Sequence, residues 1–249
     1  PVAAALGVPR LTGPFLFSLV GLVLAIGVVL LRLRPDPLVE ARRLSLADGT
    51  GTGERTHGSV TRGLRVAGAI PQARLGLLTL ALGHAVMVSV MVMTPLHMSH
   101  GEAGLEVIGF VISIHILGMF AFSPLTGMAV DRFGGRLVAV AGSVILSTAT
   151  LLASASPTGE SSTLVAGLFL LGLGWSCTLV AGSTLLTAAV PEAERPGAQG
   201  ASDLLMGLAA GGGGALAGIV VDRASFHVLA LAALSIAVVI GLAAALTGG

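Results

Sequence analysis

The sequence predicts an all-α, polytopic membrane protein with seven transmembrane helices, and three observations lead to this fold class. Hydrophobic residues fill 54% of the 249 positions and charged residues only 10%. The mean hydropathy is +0.98. Seven separate segments are long and apolar enough to cross a bilayer. Because a soluble domain carries charge at roughly a quarter of its positions, this chain must contact lipid.

The predicted spans each supply about 20 mostly apolar residues, the length that crosses the hydrocarbon core of a bilayer. In chain order they are residues 15–31, 75–96, 107–130, 137–153, 164–190, 201–221 and 226–246. Residues 34–74 are rich in Arg, Gly, Thr, Asp and Glu with little periodicity, which predicts a mobile linker. The predicted organisation is one helix in residues 1–33, the linker, and a six-helix unit in residues 75–249.

The distribution of arginine orients the spans. All 13 basic residues are arginines, and eight of them lie in the linker or at the helix end before it. Short loops rich in basic residues stay on the cytoplasmic side of a membrane. Alternating the spans from that anchor puts Arg132, Arg136 and Arg195 on the same side, and only Arg10 and Arg223 on the other. The sequence therefore predicts a multi-pass protein of the cytoplasmic (plasma) membrane whose linker faces the cytoplasm.

Several function classes are excluded or disfavoured by what the sequence lacks. A net charge of +1 offers no basic surface for nucleic acid, and the lone Cys177 cannot form an intramolecular disulfide. The absence of lysine excludes a retinal Schiff base and a lysine nucleophile. The chain has neither a Gly-x-Ser-Gly nucleophile nor a His-Glu-x-x-His zinc motif. We expect no enzyme and no cofactor, while a membrane-embedded enzyme and a seven-helix receptor stay open as alternatives.

A small group of soft and imidazole side chains follows the second span. It consists of Met93, His97, Met98, His100 and Glu102. These are ligand types for copper or zinc, but no second pair of ligands is defined. A solvated loop is the better interpretation, and no metal site is predicted.

The most informative local pattern closes the third span. Gly127 is followed by Asp131, Arg132, Gly134 and Arg136, and the next apolar run begins at once. The first glycine permits close helix approach and the second a tight turn, while the charged side chains can form a conformational latch at the cytoplasmic surface. The pattern resembles the G-x-x-x-D-R-x-G-R-R loop signature of the major facilitator superfamily, which joins the second and third helices of each six-helix half.

This resemblance implies a fold and an activity. One span, a polar linker and six more spans correspond to the sixth to twelfth helices of such a transporter. The chain is therefore expected to be half of a twelve-helix bundle plus one helix, with the N-terminal half of the same polypeptide missing before Pro1. The resemblance implies secondary active transport of a small solute by alternating access. We expect proton coupling, as in an antiporter, and efflux of a drug or metabolite. Gly135 replaces a residue that is often basic in the signature, which weakens the expected latch.

Three ionisable residues lie within the predicted spans, where charge is costly. His84 and His115 lie near the middles of the second and third spans, and Asp203 lies near the start of the sixth. Each is a candidate for the proton or substrate pathway, since histidine and carboxylate groups can exchange protons. The alternatives are a neutral histidine bonded to a backbone carbonyl and a carboxylate that caps its helix.

Two further sets of residues follow helical spacing. Met87 and Met91 share a face with His84 and could line the pathway, although a methionine stripe also occurs in ordinary packing. Trp175, the one tryptophan, is the only candidate for a tryptophan anchor at the membrane interface. The sixth span has small residues typical of close helix contact, or of a bend used in alternating access; these are Gly207, Gly211, Gly214 and Gly218.

Overall fold

The structure is a computed structural model that describes residues 13–34, 39–40, 43–44, 59–159 and 161–247. Every regular element in these ranges is helical. The elements are α1 (Gly13–Arg32), α2 (Val60–Ala69), α3 (Pro71–Ser99), α4 (Leu105–Phe120), α5 (Ser123–Phe133), α6 (Gly135–Ala155), α7 (Ser162–Ala189), a 3₁₀ turn (Glu192–Glu194), α8 (Arg195–Arg223) and α9 (Phe226–Leu246).

Seven segments of the described chain are long and apolar enough to cross a membrane. They are Phe15–Arg32, Pro71–Ser99, Leu105–Phe133, Gly135–Ala155, Ser162–Ala189, Glu192–Arg223 and Phe226–Leu246. The predicted all-helical fold with seven spans is therefore confirmed. α1 belongs to a first compact unit, Pro1–Arg55, and the other helices belong to a second unit, Thr56–Gly249.

α7 is the central helix of the second unit and packs against α3, α4, α5 and α6. Glycine makes these contacts possible because the neighbouring backbones leave no room for a side chain. A Cβ atom on Gly172 would lie 2.3 Å from the carbonyl oxygen of His115, and one on Gly182 would lie 2.9 Å from that of Gly76. Small residues allow membrane helices to approach this closely. Direct contact between backbones therefore fixes α7 among its neighbours.

The predicted linker, residues 34–74, contains helical structure in its last part, which the sequence analysis did not assign. Val60–Ala69 form α2, and α3 follows directly after it. Gly63 and Ala67, one turn apart, are buried, and a Cβ on Gly63 would lie 2.1 Å from the carbonyl carbon of Gly197 on α8. The segment is amphipathic, with its small residues on the face that packs onto α8, and this packing stabilises so short a helix. Most of the earlier part of the predicted linker lies outside the described residues.

The third span is divided into two helices, which the sequence analysis did not predict. α4 ends at Phe120 and α5 begins at Ser123. Pro124 has no N–H group to donate to the carbonyl of Phe120, so the helix breaks at this point. The Ser123 hydroxyl donates to that carbonyl instead, at 2.9 Å. The break therefore leaves no unsatisfied acceptor at Phe120.

Candidate functional site

A hydrogen bond between α3 and α7 is the central polar feature at mid-span. The indole Nε1 of Trp175 donates to Nδ1 of His84 at 2.9 Å, and the ring centroids lie 5.9 Å apart. Because an indole N–H is only a donor, Nδ1 of His84 carries a lone pair and the imidazole is neutral in this arrangement. Gly83 permits this approach, since a Cβ atom there would lie 2.4 Å from Oγ1 of Thr178 on α7.

Phe120 extends this pair onto a third helix. Its ring packs edge-on against Trp175, with centroids 6.0 Å apart and planes inclined at 77°. Trp175 is only 7% exposed, whereas Phe120 is 58% exposed. His84, Trp175 and Phe120, which we call the aromatic cluster, thus join α3, α4 and α7. This role of Trp175 was not predicted, and the position of the residue in the middle of a span was the one available signal.

His115 occupies a separate and more deeply buried position on α4. The side chain is 1% exposed, and Nδ1 lies 2.9 Å from the carbonyl oxygen of Leu168 on α7. This is the backbone-bonded arrangement that stood as the alternative to a pathway role. Nε2 is buried without a hydrogen-bond partner among the described residues. Within the described ranges, no ring contact or hydrogen bond links His115 to the aromatic cluster.

Asp203 lies on the exposed surface of α8. Its Oδ1 accepts a hydrogen bond from Nε2 of Gln199, one turn earlier, at 3.2 Å. α8 begins at Arg195, so Asp203 lies beyond the first turn. The alternative that Asp203 caps its helix is therefore wrong, because the helix starts earlier than the predicted span. The carboxylate stays a candidate for the pathway, on a helix that does not carry either histidine.

The two methionines and the histidine on the same face of α3 have different surroundings. Met87 is 3% exposed and belongs to the hydrophobic core, and Met91 packs partly buried against that core. Among these three residues only His84 makes a polar contact. The structure therefore favours ordinary packing for the two methionines.

The loop that closes the third span connects α5 to α6. Gly134 has φ of +81°, a backbone conformation that favours glycine and turns the chain directly into α6. Nε of Arg136 donates to the carbonyl of Ala244 at 2.5 Å, and Nη2 donates to that of Ala245 at 2.6 Å. These carbonyls close α9, where the helix dipole favours a positive charge. Arg136 therefore ties the loop to the end of α9.

The other charged residues of this loop point outward. Asp131 and Arg132 are exposed, and the guanidinium of Arg132 lies 5.6 Å from the ring centroid of Phe133. Within the part of the chain that the structure describes, Asp131 has no ion-pair or hydrogen-bond partner. Gly127 has open space at its Cβ position. The helix contacts expected at Asp131 and Gly127 are therefore not formed within the described ranges.

The glycines of α8 differ from those of α7. A Cβ atom on Gly207, Gly211 or Gly218 would meet nothing within 4 Å, and one on Gly214 only a side-chain atom of Val88 at 3.9 Å. The close packing predicted for these four glycines is thus not seen among the described residues. The nearest such approach on this stretch is at Gly213, whose Cβ would lie 3.0 Å from Oγ of Ser89 on α3.

The histidine at the end of α3 has a structural contact. His97 Nε2 lies 3.2 Å from the carbonyl oxygen of Pro157 and 3.3 Å from Oγ of Ser156. Its ring stacks on Phe226 at 4.2 Å. Among the described residues no three His, Cys, Asp or Glu side chains are grouped to hold a metal ion. His97 therefore joins α3 to the segment between α6 and α7 and to α9.

Comparison with known proteins identifies the family. A model of the Major Facilitator Superfamily matches residues 75–248, which run from α3 to α9. The chain belongs to the Major Facilitator Superfamily. This match confirms the resemblance seen in the loop between α5 and α6, and it makes the chain a multi-pass integral membrane protein of a transporter family.

Two relatives in Bacillus subtilis carry the name of uncharacterized MFS-type transporters. YddS is 35% identical over 235 residues and YdeG is 37% identical over 229 residues, and each match covers 92% of this chain and 52% of the relative. The riboflavin transporter RfnT of Brucella anthropi is 31% identical over 124 residues, which are 49% of this chain and 30% of that protein. The chain thus spans about half the length of the curated relatives with which it aligns over most of its own length.

Proposed function

We propose that the full-length protein is a secondary active transporter that moves a small solute by alternating access between two six-helix halves. The surface of α8 carries this proposal. Its buried residues are Gly197, Ala198, Ala201, Ser202 and Ala217, so most of this apolar helix is uncovered. Because the chain matches only about half of its relatives, we propose that an N-terminal half of the same polypeptide faces α8 across a central cavity. The names of the relatives favour a transporter over an enzyme or a receptor.

We propose that protons drive this transport. His84, His115 and Asp203 are ionisable groups at membrane depth, and such groups commonly mark proton or substrate pathways. The neutral His84 and the unpaired Nε2 of His115 each offer a site for a proton. Among the carboxylates on the described part of α8, Asp203 lies nearest the start of the helix, where most of its buried residues are found. The aromatic cluster offers the contact surface for a solute through the exposed ring of Phe120.

The charged loop between α5 and α6 is proposed as a latch for one conformation. Arg136 fixes the loop to α9, while Asp131 is exposed. An exposed carboxylate can pair with the start of a helix in the other half when the cytoplasmic side closes. Asp131→Asn would weaken that contact and shift the balance between inward-open and outward-open states. Unchanged labelling of cavity cysteines in this variant would contradict the latch.

The direction and the solute are proposed from the family. Efflux of a drug-like compound or metabolite is the first proposal, with uptake as the second. Riboflavin, the solute in the name of the Brucella relative, is a planar aromatic molecule that suits the rings of the aromatic cluster. It is therefore the first compound to test in both directions. The arginine distribution supports a cytoplasmic membrane location with the linker inside.

Transport measurements on the full-length protein in liposomes test these proposals. An imposed proton gradient should drive solute movement, and a triple variant with His84→Gln, His115→Gln and Asp203→Asn should lose the dependence on the gradient. His227→Gln is the matched control. His227 is an exposed residue of α9 that bonds to the carbonyl of Ser154, and its replacement should leave the dependence on the gradient intact. Gradient-driven transport that survives in the triple variant would overturn the assignment of these residues.

A further inference from the structure

We propose that Trp175 is a positioning residue that responds to the protonation of His84. A proton bound at Nδ1 of His84 breaks the Trp175–His84 hydrogen bond, so the indole reorients and α7 loses this side-chain link to α3 at mid-span. This inference rests on the proposed proton coupling and assigns it to one of the three candidate groups. It also gives a role to the one tryptophan in the chain.

The geometry allows one hydrogen between the two nitrogens. Trp175 Nε1 and His84 Nδ1 lie 2.9 Å apart, and the hydrogen between them belongs to the indole, which cannot accept. The neutral imidazole therefore carries its own proton on Nε2. When Nδ1 takes a proton from water, the ring becomes an imidazolium with N–H groups on both nitrogens. Two N–H groups then face each other, so the bond is lost and the indole N–H needs another acceptor.

This bond holds a specific pair of helices. Among the described residues it is the only side-chain hydrogen bond that links α3 to α7. Elsewhere the two helices touch through small residues, at Gly76 with Gly182 and at Gly83 with Thr178. The side chain of Leu80 on α3 also packs into the space left by Gly182. Phe120 rests edge-on against Trp175, so rotation of the indole also displaces an exposed ring on α4.

The other ionisable groups on the surrounding helices have contacts elsewhere. On α7, Cys177 Sγ lies 4.0 Å from Oγ1 of Thr126 on α5. Asp203 on α8 bonds to Gln199, and His227 on α9 bonds to the carbonyl of Ser154. On α4, His115 bonds to the carbonyl of Leu168. His97, at the other end of α3 from Arg74, lies 3.2 Å from the carbonyl oxygen of Pro157. The remaining charges on the helices around α3 lie on α2 or at helix ends; they are Arg62, Arg65, Arg74, Glu106, Arg136, Arg195, Asp222 and Arg223. Protonation of His84 itself is therefore the change that Trp175 senses.

Tryptophan fluorescence tests the inference directly. The emission of Trp175 is isolated as the difference between the full-length transporter and its Trp175→Phe variant in lipid nanodiscs. The difference spectrum should change in a single transition as the pH falls, because the indole loses its acceptor. In His84→Gln the transition should disappear, since the amide oxygen accepts the bond at every pH. His115→Gln is the matched control and should retain it.

A second readout separates this inference from the proposed function. Trp175→Phe keeps the aromatic packing but removes the hydrogen bond, and an ordinary hydrogen bond shifts an equilibrium about 5-fold. We expect the acid-to-neutral ratio of transport rates to fall by about that factor.

A fluorescence transition without proton-driven transport would refute the proposed coupling alone. Proton-driven transport with a pH-independent spectrum, or with a transition that survives in His84→Gln, would overturn the inference about Trp175. If Trp175→Phe does not fold, the spectra of the parent and of His84→Gln are compared directly, with the same expectations.

Discussion

α7 and α8 are neighbouring spans of similar length, both rich in glycine, and the fold uses their glycines in opposite ways. On α7, glycines at 172, 174 and 182 each face the backbone or side chains of another helix at distances too short for a Cβ atom. On α8, Gly207, Gly211 and Gly218 face open space. Glycine content alone therefore does not identify a packing surface. α7 is a fixed centre, and we propose that α8 presents a surface to a partner beyond this unit.

The largest effect is expected where the contact on α7 is tightest. Gly172→Ala places a methyl group 2.3 Å from the His115 carbonyl oxygen and 2.9 Å from the Met119 nitrogen, so α4 and α7 must separate. Overpacking of this kind costs about 3 kcal/mol. Gly211→Ala is the matched change on α8 and should raise helix stability by up to about 1 kcal/mol. Thermal denaturation of the two full-length variants checks this difference. Equal losses of stability would remove the contrast between the helices.

A smaller effect is expected at the start of α8, where Gly197 packs as closely against α2 as the glycines of α7 pack against their neighbours. Gly63→Ala directs a methyl group into the backbone of Gly197, so α2 must move away from α8. Because α2 is a short peripheral helix that can detach, we expect a cost of about 2 kcal/mol rather than global unfolding. Hydrogen exchange should become faster in α2 while it stays slow in α7. Gly68→Ala, on the same helix with open space at its Cβ, is the control and should leave exchange unchanged. Unchanged exchange in Gly63→Ala would contradict the packing of α2.

The smallest effect is expected at the ion pair beside this contact. Nη2 of Arg62 lies 2.5 Å from Oε1 of Glu194, and the side chains are 64% and 14% exposed, respectively. An ion pair with one solvent-exposed partner contributes about 0.5 kcal/mol, and salt screens it. Glu194→Gln should therefore lower the melting temperature slightly at low salt and have no effect at high salt. A loss that persists at high salt would show that Glu194 acts through packing and not through charge.

Much of the fold followed from composition and periodicity. The seven spans were predicted because apolar runs of about 20 residues are local signals. The break before Ser123 was missed although Pro124 is visible in the sequence, since proline is often tolerated within membrane helices. α2 was missed although its ten residues are amphipathic, because a helix this short within a polar, glycine-containing segment depends on its contact with Gly197.

The candidate site was only partly predictable. His84 and His115 stood out as ionisable residues in apolar spans, but their different partners depend on helix registers that the sequence does not reveal. Trp175 was assigned to the membrane interface from its residue type, whereas the structure pairs it with His84. The glycines of α8 were predicted to pack because spacing alone cannot distinguish a packed face from an open one.

Cysteine labelling of the full-length transporter tests most directly whether α8, unlike α7, presents a moving surface. In a Cys177→Ala background, Gly211→Cys on α8 is compared with Val144→Cys on the exposed surface of α6. Both variants are treated with a water-soluble maleimide in liposomes, with and without an imposed proton gradient, and the rate of labelling is measured. We predict that the gradient changes the labelling rate at position 211 several-fold and leaves position 144 unchanged. A rate at position 211 that is insensitive to the gradient would contradict an alternating-access surface on α8.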